Sequence, residues 1–239
     1  MSHPAKFSAP ILDLAFSVLR SEWEGWMGRP HLFDPFAGTG QALHEACTTG
    51  DDTFAYSGCE IEASFIEAPG IFHGDATDPA VYPPARGSTP WGWCILTSPP
   101  YGNGISDHAV ANDASKRFTY RKAIATIEGV DRELADNNLG RHGFRGTQRG
   151  GKSVKRAAYW DLARRSVVHW KTAEMVILNV SDFISGGEVE PHVNDWRDVL
   201  YHYGWGNQVV HPVGTQRIGF GENHEARVAH EVVVVARRD

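Results

Sequence analysis

The sequence predicts an α/β protein whose mostly parallel sheet is covered by helices on both faces. Three observations carry that reading. Short apolar runs of strand length alternate with segments of helical period along the chain. Two of those runs end in sharp turn signals, Gly38-Thr39-Gly40 and Ser98-Pro99-Pro100-Tyr101. The length, 239 residues, suits a single α/β domain carrying an insertion.

The elements follow in order. Ile11, Leu14, Ala15, Val18, Leu19 and Trp26 recur at helical spacing, so Pro10 to Met27 is a predicted helix closed by Pro30. His31 to Phe36 reads as the first buried strand. After the glycine turn, Gln41 to Thr49 is helical and stops at Gly50. Tyr56 to Ile61 is the second strand, followed by a short helix and a brief strand at Ile71-Phe72-His73. Trp91 to Thr97 is the fourth, halted by Pro99 and Pro100, which lack the N–H a ladder needs. Gly102 to Lys155 has little periodicity and many Gly, Arg and Asn residues, and reads as an insertion. A helix over Ala157 to Trp170 places Trp160, Ala163, Val167 and Trp170 on one face. Glu174 to Val180 is a strong buried strand, Asp195 to Tyr203 a helix, and Val209 to Val213 and Glu231 to Ala236 closing strands. No repeat or linker interrupts this, so residues 1–239 form one expected domain, with 102–156 as a target-recognition insertion.

Composition narrows the function. Hydrophobic content of 41% and charged content of 22% are ordinary for a soluble globular protein. No apolar run approaches the ~20 residues of a membrane helix, and the N-terminus lacks a signal-peptide core, so a cytoplasmic, membrane-free protein is expected. Cys47, Cys59 and Cys94 are too few and too scattered for a disulfide framework or a zinc ribbon. The 12 His residues form no compact ligand motif, and no metal is expected. Net charge is −6, but residues 102–156 carry 11 Lys/Arg against 6 Asp/Glu, leaving −11 on the remainder. An acidic body with one basic segment can dock a phosphate backbone locally. Nothing points to an obligatory protein partner.

The chemistry-bearing residues sit at strand ends. Asp34-Pro35-Phe36-Ala37-Gly38-Thr39-Gly40 follows the first strand, where open α/β sheets bind ligands. Its glycines permit a tight turn and close backbone approach, but Leu43 stands where a dinucleotide fingerprint needs its third glycine. Glu60 and Asp75 end the next two strands, placed to accept from ribose hydroxyls and an adenine amino group. In Thr97-Ser98-Pro99-Pro100-Tyr101 the prolines stiffen a turn that faces the same crevice. A base amino group is a poor nucleophile because its lone pair is delocalised into the ring. The Ser98 hydroxyl and the Pro99 carbonyl can accept its hydrogens and favour a pyramidal, attacking nitrogen, while Tyr101 offers a stacking face.

Taken jointly and in this order, these motifs resemble the amino-methyltransferases of DNA. The resemblance matches Asp34 to Gly40 with the cofactor loop, Glu60 with Ile61 and Asp75 with Ala76 to ribose and adenine contacts, and Ser98-Pro99-Pro100-Tyr101 to the catalytic loop. His3-Pro4-Ala5-Lys6-Phe7 resembles the segment over the methionine end of the cofactor, and Asn179-Val180-Ser181-Asp182 the strand end beside the base pocket. The resemblance implies a seven-stranded, Rossmann-like methyltransferase sheet with its last strand inserted antiparallel, S-adenosylmethionine as donor, and a base flipped out of DNA as acceptor. It implies cofactor binding by Lys6, Phe7, Asp34, Phe36, Ala37, Gly38, Gly40, Glu60, Ile61, Asp75, Ala76 and Ser98, and catalysis by Ser98, Pro99, Pro100 and Tyr101. Serine at position 98 favours cytosine N4, as in the N4-methylcytosine enzymes of restriction-modification systems. Carbon-5 methylation is disfavoured, because no Pro-Cys dipeptide occurs and Cys94 lies within a strand.

Many relatives carry a separate recognition domain that is not visible here. Recognition therefore falls to the basic insertion: Arg117, Arg121, Lys122, Arg141, Arg145, Arg149, Lys152 and Arg156 would grip phosphates or base edges, Phe118, Tyr120 and Phe144 would stack, and Asn179 would flank the base. Three alternatives stay open: adenine N6 methylation of DNA, amino-methylation of RNA, and an inactive nucleic-acid-binding module. A nicotinamide-dependent dehydrogenase is disfavoured by the missing glycine.

Overall fold

A computed structural model of the chain describes residues 7–24, 28, 30–49, 54–84, 92–100, 139, 151–185, 188–214 and 231–239. The sheet is built from β1 (His31–Asp34), β2 (Tyr56–Glu60), β3 (Ile71–His73), β4 (Trp93–Thr97), β5 (Met175–Val180), β8 (Asn207–Val213) and β9 (Glu231–Arg237), in the order β3-β2-β1-β4-β5-β9-β8. β1 to β5 run parallel, and β9 lies antiparallel between β5 and β8. This is the seven-stranded, mostly parallel sheet with its last strand inverted that the sequence motifs implied. Between β1 and β4 the chain reverses its direction of travel across the sheet. That switch point opens a crevice at the carboxyl ends of the two strands.

The period-2 pattern of the central strands divides the core between two faces. Cys94 and Leu96 of β4, Met175 and Ile177 of β5, and Val233 and Val235 of β9 pack against α1 (Ala9–Glu22) and α2 (Gln41–Thr48). Their neighbours Trp93, Ile95, Val176, Leu178, Val232 and Val234 pack against α3 (Gly151–Val167) and α4 (His192–His202). On that second face Trp170 stacks on Trp196 at 6.4 Å between ring centroids, and Trp160 meets Trp196 edge-on at 5.6 Å. Leu139, from the expected insertion, is buried in the same cluster. Among the described residues no helix is long and apolar enough to cross a membrane.

Several boundaries differ from the sequence expectation. β1 stops at Asp34 because Pro35 has no N–H to offer the ladder. β4 starts at Trp93, since Gly92 takes φ +72° and breaks the extended run. α1 ends at Glu22, short of the predicted Met27. α4 begins at His192, directly after Pro191, three residues before the predicted start. α3 begins at Gly151, so residues 151–156 are helical and not part of an irregular insertion. The apolar periodicity used to place that start fades at the polar first turns, where Lys and Arg are good helix formers. A hairpin of β6 (Phe183–Ser185) and β7 (Glu188–Glu190) was not anticipated, although Gly186-Gly187 between two short runs is a recognisable hairpin signal.

The turn into α2 depends on Gly40. It holds φ +69°, and an added Cβ would sit 2.3 Å from Ile71 Cγ1. Gly40→Ala should therefore destabilise the protein by about 2 kcal/mol or more through backbone strain and overpacking together. Urea denaturation of the two proteins measures this, and an unchanged midpoint would contradict the account.

Candidate functional site

The site grows from two neighbouring strand ends. β1 and β4 pair in parallel with Phe33 opposite Ile95, which brings the turn after Asp34 beside the turn after Thr97. Asp34 Oδ1 accepts from the Phe36 N–H at 2.9 Å and from the Thr97 hydroxyl at 2.5 Å. One carboxylate thus shapes its own loop and ties it to the next strand. Gly38 also adopts a left-handed φ, +55°. Its N–H donates to Glu60 Oε2 at 2.9 Å, while Glu60 Oε1 accepts from the Glu62 N–H at 2.9 Å. The acid at the end of β2 is in this way stitched to the loop after β1.

Both carboxyls are almost fully enclosed: Asp34 is 3% exposed and Glu60 9%. Burial pushes each up to about 7, against the pull of its hydrogen bonds. Among the described residues neither has a cationic partner. Two buried acids with spare lone pairs and no counter-ion suit a ligand that brings positive charge or hydroxyl donors.

The ends of β2 and β3 are joined as well. The Gly74 N–H donates to the Glu60 carbonyl at 3.0 Å, and His73 Nε2 lies 3.0 Å from the Ile61 carbonyl. Asp75 Oδ1 accepts from the N–H and hydroxyl of Thr77 at 2.8 and 2.9 Å, and the Ala76 carbonyl accepts from the Tyr82 hydroxyl at 2.6 Å. Glu60, Ile61, Asp75 and Ala76 therefore stand together at the linked ends of β2 and β3, with Glu60 against the glycine loop.

The Ser98-Pro99-Pro100 turn is held from both sides. Asn179, buried at the end of β5, donates from Nδ2 to Ser98 Oγ at 3.3 Å and to Glu231 Oε2 at 3.2 Å. Tyr159 of α3 donates its hydroxyl hydrogen to the Pro100 carbonyl at 2.8 Å. Behind it, His192 Nε2 lies 3.3 Å from the Tyr159 oxygen and 3.2 Å from Trp196 Nε1. Burial first, then the nearby Arg156 guanidinium, holds the His192 imidazole down to about 3, so it stays neutral near pH 7.

One cavity gathers the sequence-predicted residues: Phe7, Asp34, Phe36, Ala37, Gly40 and Ser98 all line it. Asn179 joins it by its hydrogen bond to Ser98, Gly38 belongs to the same loop and is bonded to Glu60, and Pro99 and Pro100 form the adjoining turn. Lys6, Tyr101, Arg117, Phe118, Tyr120, Arg121, Lys122, Arg141, Phe144, Arg145 and Arg149 lie outside the described residues. Arg156 is a correction. Its guanidinium pairs with Glu190 at 3.2 Å and Asp195 at 2.7 Å, so it braces α3 against β7 and α4 where a phosphate contact was expected. Cys94 is fully buried within β4, where burial raises its thiol well above the ordinary value, consistent with a core role.

Sequence reasoning missed Tyr159, His192 and Glu231. An aromatic and a histidine on an apolar helix face look like ordinary core. Glu231 carried a usable signal, because an antiparallel strand begins where its parallel neighbours end.

No protein-family model matches the chain, and no curated protein sequence does. Solved structures with a similar chain path include the methyltransferase subunit of a type I restriction-modification system from Streptococcus thermophilus, at 15% identity and TM-score 0.42 over 98% of this chain and 44% of that one. The small RNA methyltransferase HEN1 aligns at 10% identity and TM-score 0.44, over 100% of this chain and 27% of its own. The human methyltransferase 10 domain containing protein aligns at 8% identity and TM-score 0.45, over 100% and 88%. The chain thus spans less than half the length of the first two, and the likeness is one of chain path alone.

The buried acids make a stability prediction. A carboxyl whose folded pKa is raised favours folding fully below its unfolded pKa, and that contribution is lost as pH rises through the folded value. For Asp34 the window runs from about 4 to about 7. Without ligand, Asp34→Asn should match the parent below this window and exceed it above by on the order of 4 kcal/mol. Chemical denaturation across pH checks this; an Asn variant less stable at pH 8 would contradict it.

Proposed function

We propose that the protein transfers a methyl group from S-adenosylmethionine to the exocyclic amino group of a nucleic-acid base, cytosine N4 in DNA foremost. The observation that carries this reading is the shared cavity. Ser98, the residue suited to grip a base amino group, opens onto the same space as Asp34, Phe36 and Gly40, which are suited to a cofactor.

The residues fit that cofactor. Phe7, Asp34, Phe36, Ala37, Gly38, Gly40, Glu60, Ile61, Asp75 and Ala76 would hold it, with Lys6 continuing the N-terminal segment. When bound, S-adenosylmethionine supplies an electrophilic methyl group on a cationic sulfur. Glu60 retains lone pairs beyond its two backbone bonds and would accept from ribose hydroxyls. The uncompensated carboxyls also answer the cofactor's positive charge.

The chain's own contribution is to bind and orient the base. Ser98 Oγ and the Pro99 carbonyl accept hydrogens from the amino group, draw its lone pair out of conjugation and aim it. Tyr101 stacks on the flipped ring. The surplus proton leaves to water after transfer. Rate comes from positioning and from a preformed polar environment. Cys94, enclosed in β4, offers no thiolate for a carbon-5 reaction. DNA is gripped by the basic segment through Arg117, Arg121, Lys122, Arg141, Arg145 and Arg149. Adenine N6 is the second reading, since the same turn serves any base amino group.

Nucleoside mass spectrometry on unmethylated DNA incubated with methyl-deuterated cofactor is the direct test. Deuterated N4-methylcytosine is the expected product, and deuterated N6-methyladenine would select the second reading. Ser98→Ala should lower the transfer rate about 10²-fold while cofactor affinity stays within roughly threefold. Undiminished transfer in that variant would remove Ser98 from the mechanism.

The basic segment makes its own prediction. Replacing Arg141, Arg145 and Arg149 with Gln should weaken DNA binding and flatten the slope of log K against log salt by about 2–3. An unchanged slope would place the phosphate contacts elsewhere.

A further inference from the structure

Ser98 and its neighbour Thr97 carry hydroxyls of different availability. The Thr97 hydrogen is committed to Asp34 at 2.5 Å. Ser98 makes one hydrogen bond among the described residues, and there it is the acceptor, from Asn179 Nδ2 at 3.3 Å. A serine hydroxyl has one hydrogen and two acceptor sites. With one acceptor site filled by Asn179, Ser98 keeps its hydrogen and one lone pair for whatever enters the crevice.

The amide of Asn179 could in principle present either end to Ser98. Its orientation is set from the other side. Glu231, the first residue of β9, places Oε2 3.2 Å from the same Nδ2. An ionised carboxylate only accepts, so turning the amide over would set Asn179 Oδ1 against Glu231 oxygen to oxygen. The amide is buried, with Asn179 2% exposed, so water cannot relieve such a clash. The carboxylate therefore fixes the amide, and the amide fixes the hydroxyl.

We infer that Glu231 is a positioning residue that, through Asn179, makes Ser98 a paired donor and acceptor reading a base amino group together with the ring nitrogen beside it. The inference rests on the reading of a base amino group as the target. Ser98 Oγ accepts from the amino N–H, and its hydrogen is given to the adjacent unprotonated ring nitrogen, N3 of cytosine or N1 of adenine. The substrate class is thus an aromatic ring bearing an amino group next to a pyridine-type nitrogen. An amine without that neighbour leaves the Ser98 hydrogen unmatched in the crevice.

The test uses the full chain and the DNA site that mass spectrometry identifies. Transfer is measured on two oligonucleotides, one with the natural target and one with its deaza analogue, C–H replacing the adjacent ring nitrogen. Intrinsic reactivity differs between the two bases but cancels when the ratio of rates is compared between enzymes. The parent should discriminate against the analogue about tenfold more than Glu231→Ala does, the effect of one neutral hydrogen bond. Glu231→Gln keeps an oxygen able to accept from Asn179 and should recover part of that discrimination, at unchanged cofactor affinity. Equal discrimination in all three proteins would overturn the inference while leaving methyl transfer to a base standing. Failure of mass spectrometry to find a methylated base in either DNA or RNA would overturn the base-methylation reading itself, and this inference with it.

Discussion

The parallel pairing of β1 with β4, locked at its end by the Thr97–Asp34 hydrogen bond, is the constraint on which the site depends. The two strands are far apart in sequence and adjacent only because the sheet reverses direction between them. Their carboxyl ends deliver a glycine loop and a proline turn to the same crevice. Each turn alone is an ordinary strand exit. Side by side they form one crevice lined by Asp34, Phe36, Gly40 and Ser98.

Around that junction the protein accumulates unfavourable choices. Asp34 and Glu60 are buried without a cation among the described residues, and Gly38 and Gly40 stand in left-handed conformations. Local instability of this kind clusters at binding sites, where the surrounding fold over-determines it. Here the surroundings are densely packed. One sheet face is backed by interlocked aromatic rings of α3 and α4, the other by the apolar stripes of α1 and α2. The carboxyls are kept in place by backbone N–H donors that satisfy them without neutralising them.

Much of this was legible from the chain alone. Asp34, Glu60 and Asp75 were readable because an acid directly after an apolar run sits at a strand end, and parallel strands put such ends on one edge. Ser98 was readable because two prolines must stop a strand. The strand boundaries at Asp34 and Trp93 shifted because Pro35 and Gly92 act on single residues, below the resolution of a hydrophobic pattern. Tyr159 and His192 were invisible for a different reason. Their polar atoms meet only through tertiary packing of two helices, and nothing local distinguishes them from core residues. Arg156 was misread because charge in a basic stretch looks uniform, whereas its acidic partners Glu190 and Asp195 lie more than thirty residues onward.

The bond from Tyr159 to the Pro100 carbonyl has a consequence for how such a protein diversifies. It ties the turn at which the chain leaves β4 to α3, the helix that follows residues 101–150. A segment whose ends are already closed can be lengthened at little entropic penalty, about 0.6 kcal/mol for each doubling. Ser98, Asn179 and Glu231 lie on the body side of that tie. Changes in length between Pro100 and α3 therefore bear lightly on the turn that holds Ser98, which α3 and β5 anchor from the body.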